Sequence, residues 1–179
     1  MARWRRPCGT RASDAENLVT DDRVITVSAV VLRDESGALL VVRKVGSSRF
    51  MLPGGKPEPG EDPRTTAIRE CVEEIGVQLP GEDLTELGTF TAAAANEAGF
   101  AVRATVFEYR RVVRHATAAA EIAELRWLPL DDAGSTHTAN TSVPLAPLLV
   151  EHVIPALRGR DRASGGDDSL NRCRSSTRT

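Results

Sequence analysis

Between Gly55 and Val77 the chain reads GKPEPGEDPRTTAIRECVEEIGV, and Glu70, Glu73 and Glu74 crowd three carboxylates into little more than one helical turn. Like charges three and four positions apart repel by about a few tenths of a kcal/mol per pair on an isolated helix, and by more where water is partly excluded. A hard divalent cation removes that conflict. Mg2+ takes carboxylate and water oxygens in near-octahedral geometry and keeps phosphate oxygens of a substrate among its remaining ligands. The cluster therefore points to metal-assisted phosphate chemistry, against the blander reading of a solvated acidic helix face.

The helix that must carry these residues is marked at both ends. Asp62 can cap it, Pro63 fits a first turn whose N–H would go unpaired anyway, and Gly76 can take the left-handed conformation that stops it. At roughly 100° per residue, Ala67, Ile68, Cys71, Val72 and Ile75 share one arc, expected to pack, and Glu70, Glu73 and Glu74 share the opposite one. Cys71 reads as a small buried hydrophobe, because an apolar surrounding raises a thiol pKa and silences it.

Written as G-x5-E-x7-R-E-U-x-E-E-x-G-U, with U a bulky aliphatic, the segment resembles the signature of the Nudix hydrolases. It departs only at Cys71, where the family usually carries an aliphatic residue. Seven fixed letters at set spacings arise by chance on the order of 10⁻⁹ to 10⁻⁸ per starting point. The resemblance implies an α/β fold, an α/β/α sandwich with a mixed β-sheet between helices. It implies hydrolysis of a diphosphate linkage in a nucleoside diphosphate joined to a further group, with Mg2+ as cofactor and Mn2+ as a substitute. Carried over residue by residue, Glu70, Glu73 and Glu74 are the metal ligands, with Gly55 supplying a carbonyl. Arg69 is the arginine that holds the carboxylates in place, and Glu61, at the helix start, is the first glutamate of the signature. The water-activating base is Glu70 or Glu121, whose offset before Trp127 resembles that of a fourth carboxylate in MutT-type enzymes; Glu124 is an alternative to Glu121. Lys56 after Gly-Gly occurs in some relatives that cleave nucleoside triphosphates.

Substrate contacts are expected around the same loop. Arg43 and Lys44 end a strand just before it and could meet phosphates. Gly54 and Gly55 permit close backbone approach to a ligand or metal. Phe50, Phe100, Phe107, Tyr109 and Trp127 are the rings available to stack on a base, with core packing as the default for each; Phe50, nearest the loop, is the one assigned to substrate.

With 179 residues, 41% of them hydrophobic, the chain can bury one substantial core. Residues 1–22 read as a flexible basic arm, 23–158 as the folded domain and 159–179 as a disordered tail. A formal charge of −2 argues against wholesale attraction to nucleic acid or membrane, leaving a small nucleotide as partner and capped RNA as the exception. There is no apolar span or secretory leader, so a cytoplasmic protein is expected. Cys8, Cys71 and Cys173 form neither a disulfide framework nor a zinc pattern, and His115, His137 and His152 share no ligand spacing. The lack of a heptad pattern excludes only a coiled-coil dimer.

The elements that must position the site follow from pattern. Val24–Leu32 and the GALLVVRK run form a hairpin of strands, Phe50–Leu52 is a short strand, and Leu84–Ala93, Phe100–Val113 and Leu125–Leu128 are strands. A last helical pattern runs from Leu145 to Leu157, where Pro155 should end or kink it. Other readings of the same motif are a nucleotide-sensing module that binds without cleaving, and a hydrolase of ADP-ribose or dinucleoside polyphosphates. An isomerase of prenyl diphosphates lacks the flanking acid–base residues it would need.

Overall fold

The computed structural model describes residues 23–130 and 143–165. The expected N-terminal arm, most of the expected tail, Cys8, Cys173 and His137 lie outside them. Strands β1 (Val24–Arg33), β2 (Leu39–Lys44), β3 (Gly54–Gly55), β4 (Leu84–Ala93), β5 (Ala101–Val112) and β6 (Ile122–Leu128) join helices α1 (Pro63–Ile75) and α2 (Ile154–Gly165). The strands form one sheet in the order β4-β5-β1-β2-β6, with β3 added to β1. Only β1 and β5 run parallel; the other pairs are antiparallel, so the sheet is mixed.

Strand β1 shows why both faces need cover. Val30, Val31 and Leu32 are each 0% exposed, which alternation along a strand permits only if something packs on either side. On one face Val30, Leu32, Leu40 and Val42 meet Ala67, Cys71 and Ile75 of α1. On the other, Val31, Leu39 and Val41 meet Leu149, Val153 and Leu157 from the C-terminal helical segment. The molecule is thus the expected α/β/α sandwich, with each fully buried aliphatic side chain contributing about 1.5–3 kcal/mol of burial.

Helix α1 is capped as its sequence requires. Asp62 accepts hydrogen bonds from the N–H groups of Arg64 and Thr65, and Gly76 adopts φ 68° while its N–H bonds back to the last turn. Its faces differ from expectation at two positions. Val72 is 39% exposed, whereas Glu74 is buried. The i, i+4 row Ala67–Cys71–Ile75 lies against the sheet, and the neighbouring row Thr66–Glu70–Glu74 turns toward β3.

The hairpin of β1 and β2 pairs only at Arg33 and Leu39 before the strands splay. Met51 to Gly55 enters the gap: Met51 bridges Val42 of β2, while Gly54 and Gly55 pair with Ala29 and Ser28 of β1. The two glycines, expected as a loop, are therefore strand. Strand β6 begins at Ile122, three residues earlier than its pattern suggested, because it pairs with β2 along its length. Pro155 does not end the last helix, which runs on to Gly165, past Leu157 where its apolar pattern stops. A π-helical turn, Leu149–Val153, precedes it, and the Ile154 N–H donates to the Leu149 carbonyl five residues back. That widened turn makes room for a ring that would strike the carbonyl four residues earlier in a regular helix.

The orientation of α1 gives a direct test. Ile75→Ala is expected to cost roughly 2–5 kcal/mol in urea unfolding, whereas Val72→Ala should stay within about 0.5 kcal/mol of wild type.

Candidate active site

Arg69 organises the outer half of the acidic cluster. Its Nε and Nη2 donate to the two oxygens of Glu61 at 2.9 and 3.0 Å. Nη1 donates to Glu70 at 3.0 Å and Glu73 at 2.9 Å, and Nη2 also donates to the Lys56 carbonyl at 3.0 Å. All five guanidinium N–H donors are thereby used. Glu61 further accepts from the Glu58 N–H and the Thr66 hydroxyl. The Arg69 bond, helped by these donors, holds the Glu61 carboxyl down at about 2. Glu61 is thus an anchor for Arg69.

The inner half is built around Glu74. Its Oε2 accepts from the Gly54 N–H at 3.0 Å, and Oε1 lies 2.7 Å from the Lys44 ammonium, without an aligned hydrogen bond. Burial pushes the Glu74 carboxyl above its usual value, against the pull of Lys44 and Gly54. Lys44 also meets Glu121 Oε1 at 2.6 Å. Burial alone would lower the Lys44 ammonium, but the Glu121 and Glu74 carboxylates more than offset it. Glu121 reaches this place through backbone bonds. The Ala119 N–H donates to the carbonyl of Glu74, and the Val45 N–H donates to that of Glu121.

Both glycines of β3 are required by contact. A Cβ on Gly54, whose φ is 149°, would strike the Ser28 carbonyl and the Ala29 backbone, and one on Gly55 would strike the Glu70 carboxylate. Beside them opens a cavity of about 500 Å³. Lys44, Gly54, Gly55, Lys56, Glu70 and Glu121 line its polar end; Ile25, Val27, Met51, Val102 and Leu148 form an aliphatic wall, and Asn96 and Glu97 lie on its rim.

Several expected site residues lie elsewhere. Phe50 is 2% exposed in the core, flanked by the guanidinium groups of Arg43 and Arg126, and does not line the cavity. Arg43 is tied to Glu124 at 2.9 Å and to the Ser47 carbonyl, away from the cavity. Glu124 is held between Arg43 and Arg126, which keep its carboxyl low. Phe107, Tyr109 and Trp127 pack into or against the core beneath α1, and Phe100, though exposed, lines no part of the cavity. The apolar wall of the cavity is therefore aliphatic. Its residues, with Asn96 and Glu97, carried no signal in the sequence, since only the sheet order brings them beside Gly55. Cys71 is buried and its thiol pushed up by desolvation, then by Glu74 and Glu70, as an inert core residue requires.

The donors at the polar end are hard oxygens. Around them stand Glu61, Glu70, Glu73, Glu74 and Glu121 against Arg69, Lys44 and Lys56, five formal negative charges to three positive. This excess, and a buried Glu74 oxygen without an aligned donor, suit a divalent cation. Among the described residues, however, no three acidic, histidine or cysteine side chains stand close enough to share an ion as placed. Arg69 and Lys44 hold the carboxylates in two separate groups.

A family model described as NUDIX domain matches residues 22–149. The chain belongs to the NUDIX domain family. A MutT-like protein of Streptomyces ambofaciens is 39% identical over 61 residues, 34% of this chain and 39% of that relative. An 8-oxo-dGTP diphosphatase of Haemophilus influenzae is 33% identical over 70 residues, 37% of this chain and 52% of that relative. The matches thus span about half or less of these relatives. The crystal structure of a MutT protein from Methanosarcina mazei Go1 superposes with a TM-score of 0.59 at 23% identity, covering 82% of this chain and 99% of that one, which shows a shared fold. Among the described residues no helix is long and apolar enough to cross a membrane.

Two outcomes follow from this NUDIX geometry. Glu61 titrates at about 2 in place of the usual 4.5, so its bond to Arg69 stabilises the fold above pH 4.5 and is lost as pH falls through about 2. Glu61→Gln should therefore melt below wild type at pH 7, with the gap closing between pH 4.5 and 2. Gly55→Ala should displace Glu70 from its bond with Arg69 and lower the melting temperature while circular dichroism stays native.

Proposed function

We propose that this chain is a Mg2+-dependent hydrolase that cleaves a diphosphate linkage in a nucleoside diphosphate derivative, with a nucleoside triphosphate as substrate. The observation that carries the reading is the cavity of about 500 Å³, where Glu70, Glu121, Lys44, Lys56 and the Gly54–Gly55 strand share the lining with the aliphatic side chains of Ile25, Val27, Val102 and Leu148. The likeness to the Haemophilus influenzae 8-oxo-dGTP diphosphatase supports a triphosphate over ADP-ribose or a dinucleoside polyphosphate.

Glu70, Glu73 and Glu74, with the Gly55 carbonyl, would hold Mg2+, and Mn2+ would substitute. When bound, the ion neutralises phosphate oxygens and polarises the attacking water. Arg69 orients Glu70 and Glu73, and Gly54 orients Glu74 through its N–H. Lys44 and Lys56 lie where they can meet the phosphate chain. The proton of the attacking water goes to a carboxylate within reach, Glu70 or Glu121, both of which line the cavity. Glu124, locked between two arginines, does not serve. The base of the nucleotide rests on Ile25, Val27, Val102 and Leu148 through apolar contact, without an aromatic stack.

Purified protein with Mg2+ should release pyrophosphate and a nucleoside monophosphate from at least one nucleoside triphosphate, in a panel where cleavage of ADP-ribose or a dinucleoside polyphosphate is read from the nucleoside monophosphate and the other phosphorylated product. Glu73→Gln and Glu74→Gln should each reduce kcat by at least about 10²-fold. Unchanged turnover in both variants, or no product from any nucleotide, would overturn the proposal.

A further inference from the structure

Lys44 and Arg69 both neutralise carboxylates of the site, but they are held very differently. Arg69 spends all five donors on Glu61, Glu70, Glu73 and the Lys56 carbonyl, so it is locked from several sides. The Lys44 ammonium stands on a flexible four-carbon stem and rests between two oxygens, Glu74 Oε1 at 2.7 Å and Glu121 Oε1 at 2.6 Å. Those oxygens come from different elements. Glu74 belongs to α1 and is buried, whereas Glu121 stands before β6 with its side chain 60% exposed. One cation gathering two such carboxylates is the arrangement a divalent ion also makes.

We propose that Lys44 is a movable counter-cation: it keeps Glu74 and Glu121 neutralised until a divalent ion enters, then turns outward to the phosphate chain of the nucleotide. The inference rests on the metal-dependent reading above and adds the order in which charges exchange. An ammonium and a divalent ion cannot both sit at ion-pair distance from the buried Glu74 Oε1 without strong repulsion. The way out is open, since Lys44 lines the same cavity as Gly54, Lys56 and Glu70. The consequence is coupling. Metal entry frees a phosphate ligand, and phosphate capture of Lys44 frees a metal ligand, so each binding event favours the other. Lys44 is a positioning residue for Glu74 and Glu121 in one state and a substrate contact in the other.

The chain has two lysines, Lys44 and the exposed Lys56, which makes amine acylation followed by mass spectrometry a direct probe on the full-length protein. Without nucleotide, saturating Mg2+ should raise the labelling rate of Lys44 relative to Lys56 by at least about fivefold. Adding a methylene-bridged, non-hydrolysable nucleoside triphosphate should protect Lys44 again. In parallel, Lys44→Met should melt lower than wild type without metal, and Mn2+ should raise its melting temperature by more than it raises that of wild type, while Lys44→Arg behaves as wild type. A purely structural lysine would give the lower melting temperature without the larger metal response. Magnesium binding by calorimetry with an unchanged Lys44 labelling rate would overturn this inference alone. No divalent binding at all would overturn it together with the metal-dependent reading.

Discussion

Charge compensation around a crowded set of carboxylates governs this molecule. Removing a carboxylate from water costs several kcal/mol unless partners replace the lost hydration. Glu74 is almost completely buried, and it is tolerated because the Gly54 N–H and the Lys44 ammonium lie against its two oxygens. Glu61, Glu70 and Glu73 are served by a single guanidinium. The division is economical but incomplete, since five carboxylates face three cations, Arg69, Lys44 and Lys56. The residual negative charge, at a cavity lined by both lysines, supports the proposal that a cation and a polyphosphate occupy it together.

The scaffold that permits this crowding is the splayed hairpin. Had β1 and β2 stayed paired beyond Arg33 and Leu39, there would be no gap for Met51 to Gly55. Once in the gap, β3 brings its backbone against the Glu70–Glu74 row of α1, and only residues without a side chain fit there. The alanine-rich segment before β6 docks on the carbonyls of Glu74 and Ile75 at the end of the same helix. Segments from either side of α1 in the sequence thus close on one short helix. The opposite face of the sheet is covered by the C-terminal helical segment, whose Leu148 reaches the cavity wall while its neighbours fill the core.

Much of the fold was legible because its signals are local. Asp62, Pro63 and Gly76 mark helix ends through their own backbone and capping chemistry. Alternating and β-branched runs marked the strands to within a few residues. The errors lay where a partner decides. Pro155 is expected from sequence to end or kink its helix, and the π turn before it lets the helix run on; β6 is lengthened by β2, and Val72 loses its place in the core because the row Ala67–Cys71–Ile75 faces the sheet.

The same division holds for the site. Sequence by itself determined that Glu70, Glu73 and Glu74 share a helix with Arg69, since i, i+3 and i, i+4 spacing places side chains together whatever surrounds them. It placed the Gly54–Gly55 pair beside the site, but the contacts with Ser28, Ala29 and Glu70 that require glycine there are tertiary. Tertiary structure alone decided that Glu74 is the buried carboxylate, that Lys44 rather than Arg43 faces the cavity, that Glu121 rather than Glu124 joins it, and that Phe50 belongs to the core. The reason is physical: a strand offers its two faces alternately, and which face meets ligand, solvent or core depends on neighbours that are distant in the chain.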